Sequence, residues 1–397
     1  MIATHDVLTE RSLQMISKLV SFDSISHLSN LPLIRFIEDY LALHHIEYEL
    51  IPSEDGQKSN LLARIGPNVE GGIILSGHTD VVPVEGQAWD SDPFNVIEKD
   101  GKLYGRGTCD MKSFIAVCLA MAPEFKKLNL TKPIYFAFSY DEEVGCLGVP
   151  SMVEHIGKQL PKPAYAIIGE PTMMQVVTAH KGLMSYETVV HGLEWHSSQP
   201  QSGVNAVHYA CNLVQFLTEL NAELRDSGLQ DERFTPPHTT AHVGVIHGGT
   251  ARNIIPKQCV LNWEIRFLPT DDADALFKRF EAHCESLVSE MRINYPEANI
   301  VTTRKSYMAG VTLPDHATDC AQQVKHFAGS NQEFAVSFGT EAGVFNNGGI
   351  PSIVCGPGDI EQAHKPNEFV AVSQIAECVT FMRKLCDDVS KNSLSVA

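Results

Sequence analysis

The feature that most constrains this chain is a change of hydrophobic pattern near Lys181. Before it, amphipathic stretches such as "LPLIRFIEDYLALHH", with apolar residues three and four apart, alternate with short apolar runs such as "GGIILSG" and "PIYFAFSY". The first pattern is typical of helices and the second of buried strands. Helices and strands in alternation predict a mixed, mainly parallel α/β sheet that is covered by helices on both faces.

From Lys181 onward the order of elements becomes β-α-β-β-α-β, which is that of a small ferredoxin-like α+β unit. The two helices are expected in "NAVHYACNLVQFLTELNAEL" and "DDADALFKRFEAHCESLVSEM". After about Ser306 short strands and helices alternate again. We therefore predict three segments: 1–180 and 307–397 form one α/β domain, and 181–306 is inserted into it as a second domain.

Composition narrows the class of protein. A chain of 397 residues with 44% hydrophobic residues is long enough for two domains. Its formal charge of -18 argues against nucleic acid or an anionic membrane as a partner. The apolar stretches are too short to span a bilayer, and the first residues lack a signal-peptide pattern. The same negative charge mildly favours cationic small molecules as substrates. Ten cysteines without a C-x-x-C pair indicate reduced thiols, so we expect a cytoplasmic protein.

Candidate catalytic residues recur where predicted strands end. "LSGHTDVVP" places His78 and Asp80 two residues apart, so that both can face one side, as in a metal-binding histidine held by a carboxylate. "YGRGTCDMK" places Asp110 before a helix, where a plain helix cap is the alternative. "IIGEPT" leaves Glu170 at the end of another strand. The carboxyl ends of the strands in an open α/β sheet form the usual binding crevice.

Two further segments add to this set. "SYDEEVGCLG" sets Glu142 beside Glu143, for which a helix start is the alternative, and "CGPGDIEQAHKPNEF" carries His364, for which a solvated loop histidine is the alternative. Two histidines with several carboxylates suit two divalent cations bridged by one carboxylate. One glutamate of the pair would bind metal, while the other accepts a proton from water.

Taken together, "SGHTDVVP", "GRGTCDMK", "YDEEVGCLG", "IGEPT", "HSSQP" and "GPGDIEQAHKPNEF" resemble the metallopeptidase M20 family of co-catalytic zinc hydrolases. The resemblance implies two divalent cations per subunit, Zn²⁺ or Co²⁺, and a cis peptide after Asp110. It implies these roles for the strand-end residues: His78 and Glu170 hold one ion, Glu143 and His364 hold the other, Asp110 bridges both, Asp80 orients His78, and Glu142 is the general base.

The same resemblance implies that the inserted domain is a lid through which two subunits form a homodimer. His196 would then reach into the partner's site and donate to the developing oxyanion, although an ordinary loop histidine is the alternative. Asn253 and Arg266 match substrate-binding positions of the lid. An exposed ion pair is the alternative for Arg266.

Within the family, "TAHKGLMSYETVVHGLEWHSSQPQSGVNAV" and "FGTEAGVF" are most similar to N-acetylornithine deacetylases. This implies hydrolysis of N2-acetyl-L-ornithine to acetate and L-ornithine, a step of arginine biosynthesis. Gly339, Thr340 and Glu341 would lie near the substrate, with Glu341 favouring a cationic side chain or only supporting a helix start. Two alternatives stay open. One is another M20 amidohydrolase, such as succinyl-diaminopimelate desuccinylase or an aminoacylase, and the other is an inactive homologue that binds metal or peptide.

Overall fold

The computed structural model describes residues 6–390, which divide into two compact units. The first unit comprises 6–179, 311–335 and 340–390. The second comprises His180–Gly310 and Val336–Gly339, whereas the sequence pattern predicted an inserted segment at 181–306.

The helices and strands of the described residues follow in chain order. The helices are α1 (Val7–Val20), α2 (Leu31–Leu43), α3 (Lys112–Lys127), α4 (Val149–Gln159), α5 (Ala206–Ser227), α6 (Ala273–Asn294), α7 (Thr318–Ala328), α8 (Ala342–Asn347) and α9 (Val372–Val389). The strands are β1 (Glu47–Pro52), β2 (Ser59–Ile65), β3 (Ile73–His78), β4 (Ile97–Lys99), β5 (Lys102–Tyr104), β6 (Ile134–Ser139), β7 (Tyr165–Pro171), β8 (Val177–His180), β9 (Gly182–His191), β10 (Trp195–His196), β11 (Thr240–Gly248), β12 (Ile254–Ile255), β13 (Gln258–Phe267), β14 (Asn299–Met308), β15 (Val311–Thr312), β16 (Phe334–Val336), β17 (Ser352–Gly356) and β18 (Phe369–Ala371).

The large sheet has the order β1-β2-β6-β3-β7-β17-β8-β15, and β16 pairs with β8. Its four central strands, β6, β3, β7 and β17, run parallel, while β1, β2 and β8 pair antiparallel towards the edges. This confirms the prediction of a mixed, mainly parallel sheet. Because the central strands share one direction, their carboxyl ends lie at one edge of the sheet.

Helix α3 packs closely beneath that edge. A Cβ atom on Gly77 would lie 2.8 Å from the Met111 side chain, and one on Gly169 would lie 2.0 Å from the ring of Phe114. These glycines directly precede His78 and Glu170, so glycine is required where the helix meets the two strands. Strands β3 and β6 are buried along their whole length, as expected for parallel strands covered on both faces.

The second unit has a four-stranded sheet with the order β11-β13-β9-β14, in which every pair is antiparallel. The chain order β9-α5-β11-β13-α6-β14 confirms the predicted β-α-β-β-α-β pattern. Strands β9 and β13 alternate between buried and partly buried residues, because one face packs against the helices. Strand β11 lies at the edge and leaves Val245 and Ile246 about half exposed, at 49% and 47%.

No helix between residues 6 and 390 combines the length and the hydropathy that crossing a membrane requires.

Candidate metal centre and active site

The strand ends bring the first three candidate ligands together. His78 ends β3 and Glu170 lies near the end of β7, and these two strands are parallel neighbours. His78 Nε2 lies 3.0 Å from Asp110 Oδ1 and 3.6 Å from Glu170 Oε1. All three side chains are buried. One ligand atom from each residue lies within 4.8 Å of the others, a spacing that a single cation can span.

Loops supply the second group of ligands. His364 Nε2 lies 3.2 Å from Asp110 Oδ2 and 3.1 Å from Glu143 Oε2. The two carboxylate oxygens of Asp110 therefore face different histidines. The side chain of His364 is 54% exposed, in contrast to 1% for His78. The structure thus places the five predicted ligands in two groups that share Asp110. The peptide bond between Asp110 and Met111 is cis, as the resemblance predicts.

The charges of this cluster favour a cation. Burial, reinforced by the nearby charge of Asp110, raises the pKa of Glu143 to about 7, and it raises the pKa of Glu170 well above the usual value. Burial opposes a charge on His78, yet the hydrogen bond to Asp110 and the nearby carboxylates of Asp80 and Glu170 raise the pKa of its imidazole. Within the described residues, Glu143 Oε1 is buried and has no hydrogen-bond partner. Buried carboxylates and imidazoles at this spacing, one carboxylate oxygen among them without a partner, fit two divalent cations.

Asp80 acts differently from the prediction that its carboxylate orients His78. His78 Nδ1 lies 2.9 Å from the main-chain oxygen of Asp80, while the nearer carboxylate oxygen is 3.6 Å away. The carboxylate instead accepts the N–H groups of Glu142 at 3.1 Å and Glu143 at 3.3 Å, and the hydroxyl of Ser26 at 2.7 Å. Asp80 thus orients the histidine mainly through its backbone, and its side chain holds the turn that carries both glutamates.

The paired glutamates lie in a turn, and α4 begins only at Val149, so the alternative of a helix start is wrong. The carboxyl of Glu142 is 6% exposed and faces the thiol of Cys146, which donates to Oε1 over 3.6 Å. Burial, together with the charge of Glu143, raises the pKa of Glu142 well above its usual value. A carboxyl with a raised pKa beside two candidate cation positions can accept and return a proton.

The predicted lid residues lie in the second unit. His196 is exposed on β10, and the main-chain oxygen of its neighbour Asn253 accepts the N–H of Ser197 over 3.1 Å. The N–H of Ser198 donates to His196 Nδ1 over 3.1 Å. Arg266 Nε lies 2.8 Å from Glu264 Oε1, in a partly exposed ion pair of the kind given as its alternative.

The segment Gly339–Glu341 leads into α8. The hydroxyl of Thr340 accepts the N–H of Ala342 over 3.1 Å, and Glu341 makes no capping hydrogen bond. The carboxylate of Glu341 is fully buried and accepts the hydroxyls of Ser139 and, over 3.2 Å, Ser76. Burial raises the pKa of Glu341 to about 7. Both oxygens of Glu341 therefore already have protein partners beneath the strand ends.

One important acidic residue was absent from the sequence analysis. Glu368 is 1% exposed, and its Oε1 accepts the N–H groups of Gly107, Cys109 and Asp110 at 3.0, 2.8 and 3.1 Å. Its Oε2 accepts Arg106 Nη1 over 2.7 Å. The available signals were the carboxylate four residues after His364 in "HKPNEF" and the arginine between two glycines in "GRG".

Comparison with known proteins places this site in a family. The model of the peptidase family M20/M25/M40 matches residues 74–388. The chain is 34% identical to the acetylornithine deacetylase of Pasteurella multocida over 380 residues, which cover 94% of this chain and 96% of the relative. It is 35% identical to the acetylornithine deacetylase of Myxococcus xanthus over 371 residues, which cover 91% and 93% of the two chains.

Solved structures agree in fold. The M20 family metallo-carboxypeptidase Sso-CP2 of Sulfolobus solfataricus superposes with a TM-score of 0.76 at 17% identity, covering 94% of this chain and 98% of that chain. The YXEP protein of Bacillus subtilis, a dinuclear metal-binding peptidase of the M20 family, gives a TM-score of 0.66 at 14% identity, covering 97% and 99%. Sequence, fold and ligand geometry lead to one conclusion: this chain belongs to the peptidase family M20/M25/M40.

Proposed function

We propose that this chain is a metal-dependent amide hydrolase that converts N2-acetyl-L-ornithine and water into acetate and L-ornithine. The observation that carries the chemistry is the pair of ligand groups that share Asp110, with the carboxyl of Glu142, which belongs to neither group, close to them. The substrate is inferred from the relatives named acetylornithine deacetylase, which are 33–37% identical over most of the chain. The product L-ornithine would connect the reaction with arginine biosynthesis.

In this proposal, the ligand groups would hold two divalent cations. We propose Zn²⁺ as the native metal, with Co²⁺ as the alternative. His78 and Glu170 would hold one ion, Glu143 and His364 would hold the other, and Asp110 would serve both groups. When bound, such ions lower the pKa of water and polarise the amide carbonyl. Glu142 takes a proton from the attacking water and returns it to the leaving amine. The bonds from Asp80 to the N–H groups of Glu142 and Glu143 keep base and ligand in a fixed relation.

His196 is proposed to donate a hydrogen bond to the oxyanion in the site of a partner subunit. Its Nδ1 accepts the N–H of Ser198, and a backbone amide can only donate. The neutral ring therefore carries its proton on Nε2, the tautomer that can donate to a substrate. The partly exposed apolar edge of β11, with Val245 and Ile246, supports pairing of two subunits through the second unit. The ten free cysteines support a reducing cytoplasm.

Replacing Glu142 tests the mechanism. Glu142→Gln keeps the shape of the side chain and removes the base, so we expect kcat to fall ~10²–10⁴-fold while two ions stay bound. Glu143→Gln removes a ligand instead and should lower the metal content, measured by elemental analysis. Near-normal turnover of Glu142→Gln would exclude the proposed base.

Subunit mixing tests the role of His196. His196→Ala and Glu142→Gln proteins are each expected to be inactive. After subunit exchange, a mixed dimer contains one site with an intact Glu142 that faces an intact His196 from its partner. Activity should then return. If His196 served only its own subunit, every site of the mixed dimer would still have one defect, and activity would stay lost.

Substrate identity is tested by measuring kcat/KM on a panel of N-acyl amino acids with protein loaded with Zn²⁺ or Co²⁺. We expect the highest value for N2-acetyl-L-ornithine. A preference for N-succinyl-diaminopimelate or for neutral N-acetyl amino acids would replace the proposed substrate by that of a desuccinylase or an aminoacylase. Metal binding without any turnover on the panel would favour an inactive homologue.

A further inference from the structure

The loop that carries His364 has a strained backbone and many external contacts. His364 and Asn367 have φ values of +63° and +58°, a region that residues other than glycine adopt at a cost. Such a conformation persists where surrounding contacts hold it. Two neighbouring segments supply these contacts, one around Gln87 and the other around Arg106.

The segment around Gln87 holds the loop by its main chain. Gln87 Nε2 donates to the main-chain oxygen of His364 over 2.9 Å. Asp90 and Asn367 exchange two hydrogen bonds, at 2.9 Å from the Asp90 N–H and at 3.1 Å from the Asn367 amide. Each bond acts on the backbone or on a neighbour of His364 and leaves its imidazole free for a ligand.

The segment around Arg106 holds the same loop from its other end. Arg106 Nη2 donates to Gln87 Oε1 over 2.5 Å, and Nη1 donates to Glu368 Oε2 over 2.7 Å. The second oxygen of Glu368 accepts the main-chain N–H groups of Gly107, Cys109 and Asp110, in the turn that ends in Asp110. Glu368 therefore joins the turn that carries Asp110 to the loop that carries His364.

We infer that Glu368 is a positioning residue, which together with Arg106 and Gln87 sets the affinity of the Asp110–Glu143–His364 group for its cation. The inference rests on the proposed metal binding. A buried ion pair could exist for stability alone, but that role would not need one oxygen to accept three main-chain N–H groups of the turn that carries Asp110. The other group shares Asp110 but depends less on Glu368, because its two remaining ligands, His78 and Glu170, lie on paired strands of the sheet.

The substitution Glu368→Gln is a sharp test because both carboxylate oxygens only accept hydrogen bonds. Glutamine has one oxygen and one NH₂ group. Its NH₂ group must therefore face other hydrogen-bond donors, either the guanidinium of Arg106 or the main-chain N–H groups of the Asp110 turn. Loss of a residue that orients metal ligands typically lowers metal affinity ~10–100-fold. Glu361→Gln, in the same loop but exposed, is the matched control.

The experiment is a titration of metal-free, full-length protein with Co²⁺ against a competing chelator, followed by visible absorption. The variants His78→Ala and His364→Ala assign the two dissociation constants. His364→Ala should abolish one of the two Co²⁺-binding steps. We expect Glu368→Gln to raise the dissociation constant of that step by ~10–100-fold, and that of the other step by about threefold or less. Glu361→Gln should change neither. Equal weakening of both constants, or no change in either, would overturn the inference.

A second variant keeps the test decisive if Glu368→Gln does not fold. Gln87→Leu removes one hydrogen bond to the His364 loop at a partly exposed position, and it should weaken the same constant by ~2–10-fold. An unchanged constant in folded Gln87→Leu would then overturn the inference. A wild-type protein that binds no Co²⁺ would instead overturn the proposed function, and the inference with it.

Discussion

The two ligand groups of the candidate metal centre are built in different ways. His78 and Glu170 project from neighbouring parallel strands, with α3 packed directly behind the glycines that precede them. Glu143 and His364 project from loops, whose positions depend on a few side chains such as Asp80 and Glu368. A ladder of backbone hydrogen bonds tolerates single substitutions better than a loop held by individual side chains. We therefore expect the sheet half (His78 and Glu170) to be less sensitive to substitutions around it than the loop half (Glu143 and His364).

Removing one histidine from each half should give the largest contrast. In metal-free protein, His78→Ala should lower the free energy of unfolding by ~2–4 kcal/mol, because it leaves a cavity and buried carboxylates without their partner. His364→Ala should cost about 1 kcal/mol or less, since its side chain is 54% exposed and its ion pairs are screened. Urea unfolding in the presence of a chelator measures both, with the exposed helix residue His208→Ala as the control. Equal losses would contradict the distinction between the halves.

Asp80→Asn should weaken Co²⁺ binding by both halves to a similar extent, because Asp80 contacts both. Its carboxylate lies 3.6 Å from His78 Nδ1, and the same carboxylate holds the turn of Glu142 and Glu143. An amide cannot accept all three of the bonds that the carboxylate accepts. We expect both dissociation constants for Co²⁺ to weaken ~10–100-fold, in contrast to the selective effect expected for Glu368→Gln. A change confined to one constant would show that Asp80 belongs to one half only.

Glu341 provides a test through pH. Its folded pKa of about 7 lies above the unfolded value near 4.5, so the stability associated with its protonated form is present at low pH. That contribution is lost as pH rises from about 4.5 to about 7. Metal-free Glu341→Gln has no such titration. As pH rises from 5.5 to 7, its free energy of unfolding should therefore increase by roughly 1–2 kcal/mol relative to that of the wild type. Parallel stability curves for the two proteins would contradict a raised pKa at Glu341.

The smallest expected effect is that of Glu341→Gln on the preference between two substrates. Since Ser76 and Ser139 already donate to Glu341, its influence on a cationic substrate side chain would act through the local field. We expect Glu341→Gln to lower kcat/KM for N2-acetyl-L-ornithine by up to ~10-fold more than for N-acetylmethionine, which corresponds to about 1.4 kcal/mol. Equal losses on the two substrates would assign Glu341 a structural role alone.

Local pattern was sufficient for the long elements of the fold. The stretch "LPLIRFIEDYLALHH" forms α2 from Leu31 to Leu43, and "NAVHYACNLVQFLTELNAEL" forms α5 from Ala206 to Ser227, both as predicted. Their periodicity reflects one-sided burial, which a sequence records directly. The strands β10, β12 and β15 have two residues each and were not predicted, because pairing with distant segments defines them and no periodicity can develop over two residues.

The sequence by itself determined which residue types end each central strand, and the family resemblance divided them between two ions. The tertiary structure decided how those side chains are held: Asp80 meets His78 through its backbone, Glu341 is enclosed by two serines, and Glu368 ties the turn of Asp110 to the loop of His364. The physical reason is distance along the chain. Glu368 binds amides about 260 residues before it, with separations of 258 to 261, and a contact of that range arises only when the folded sheet brings both loops to one edge.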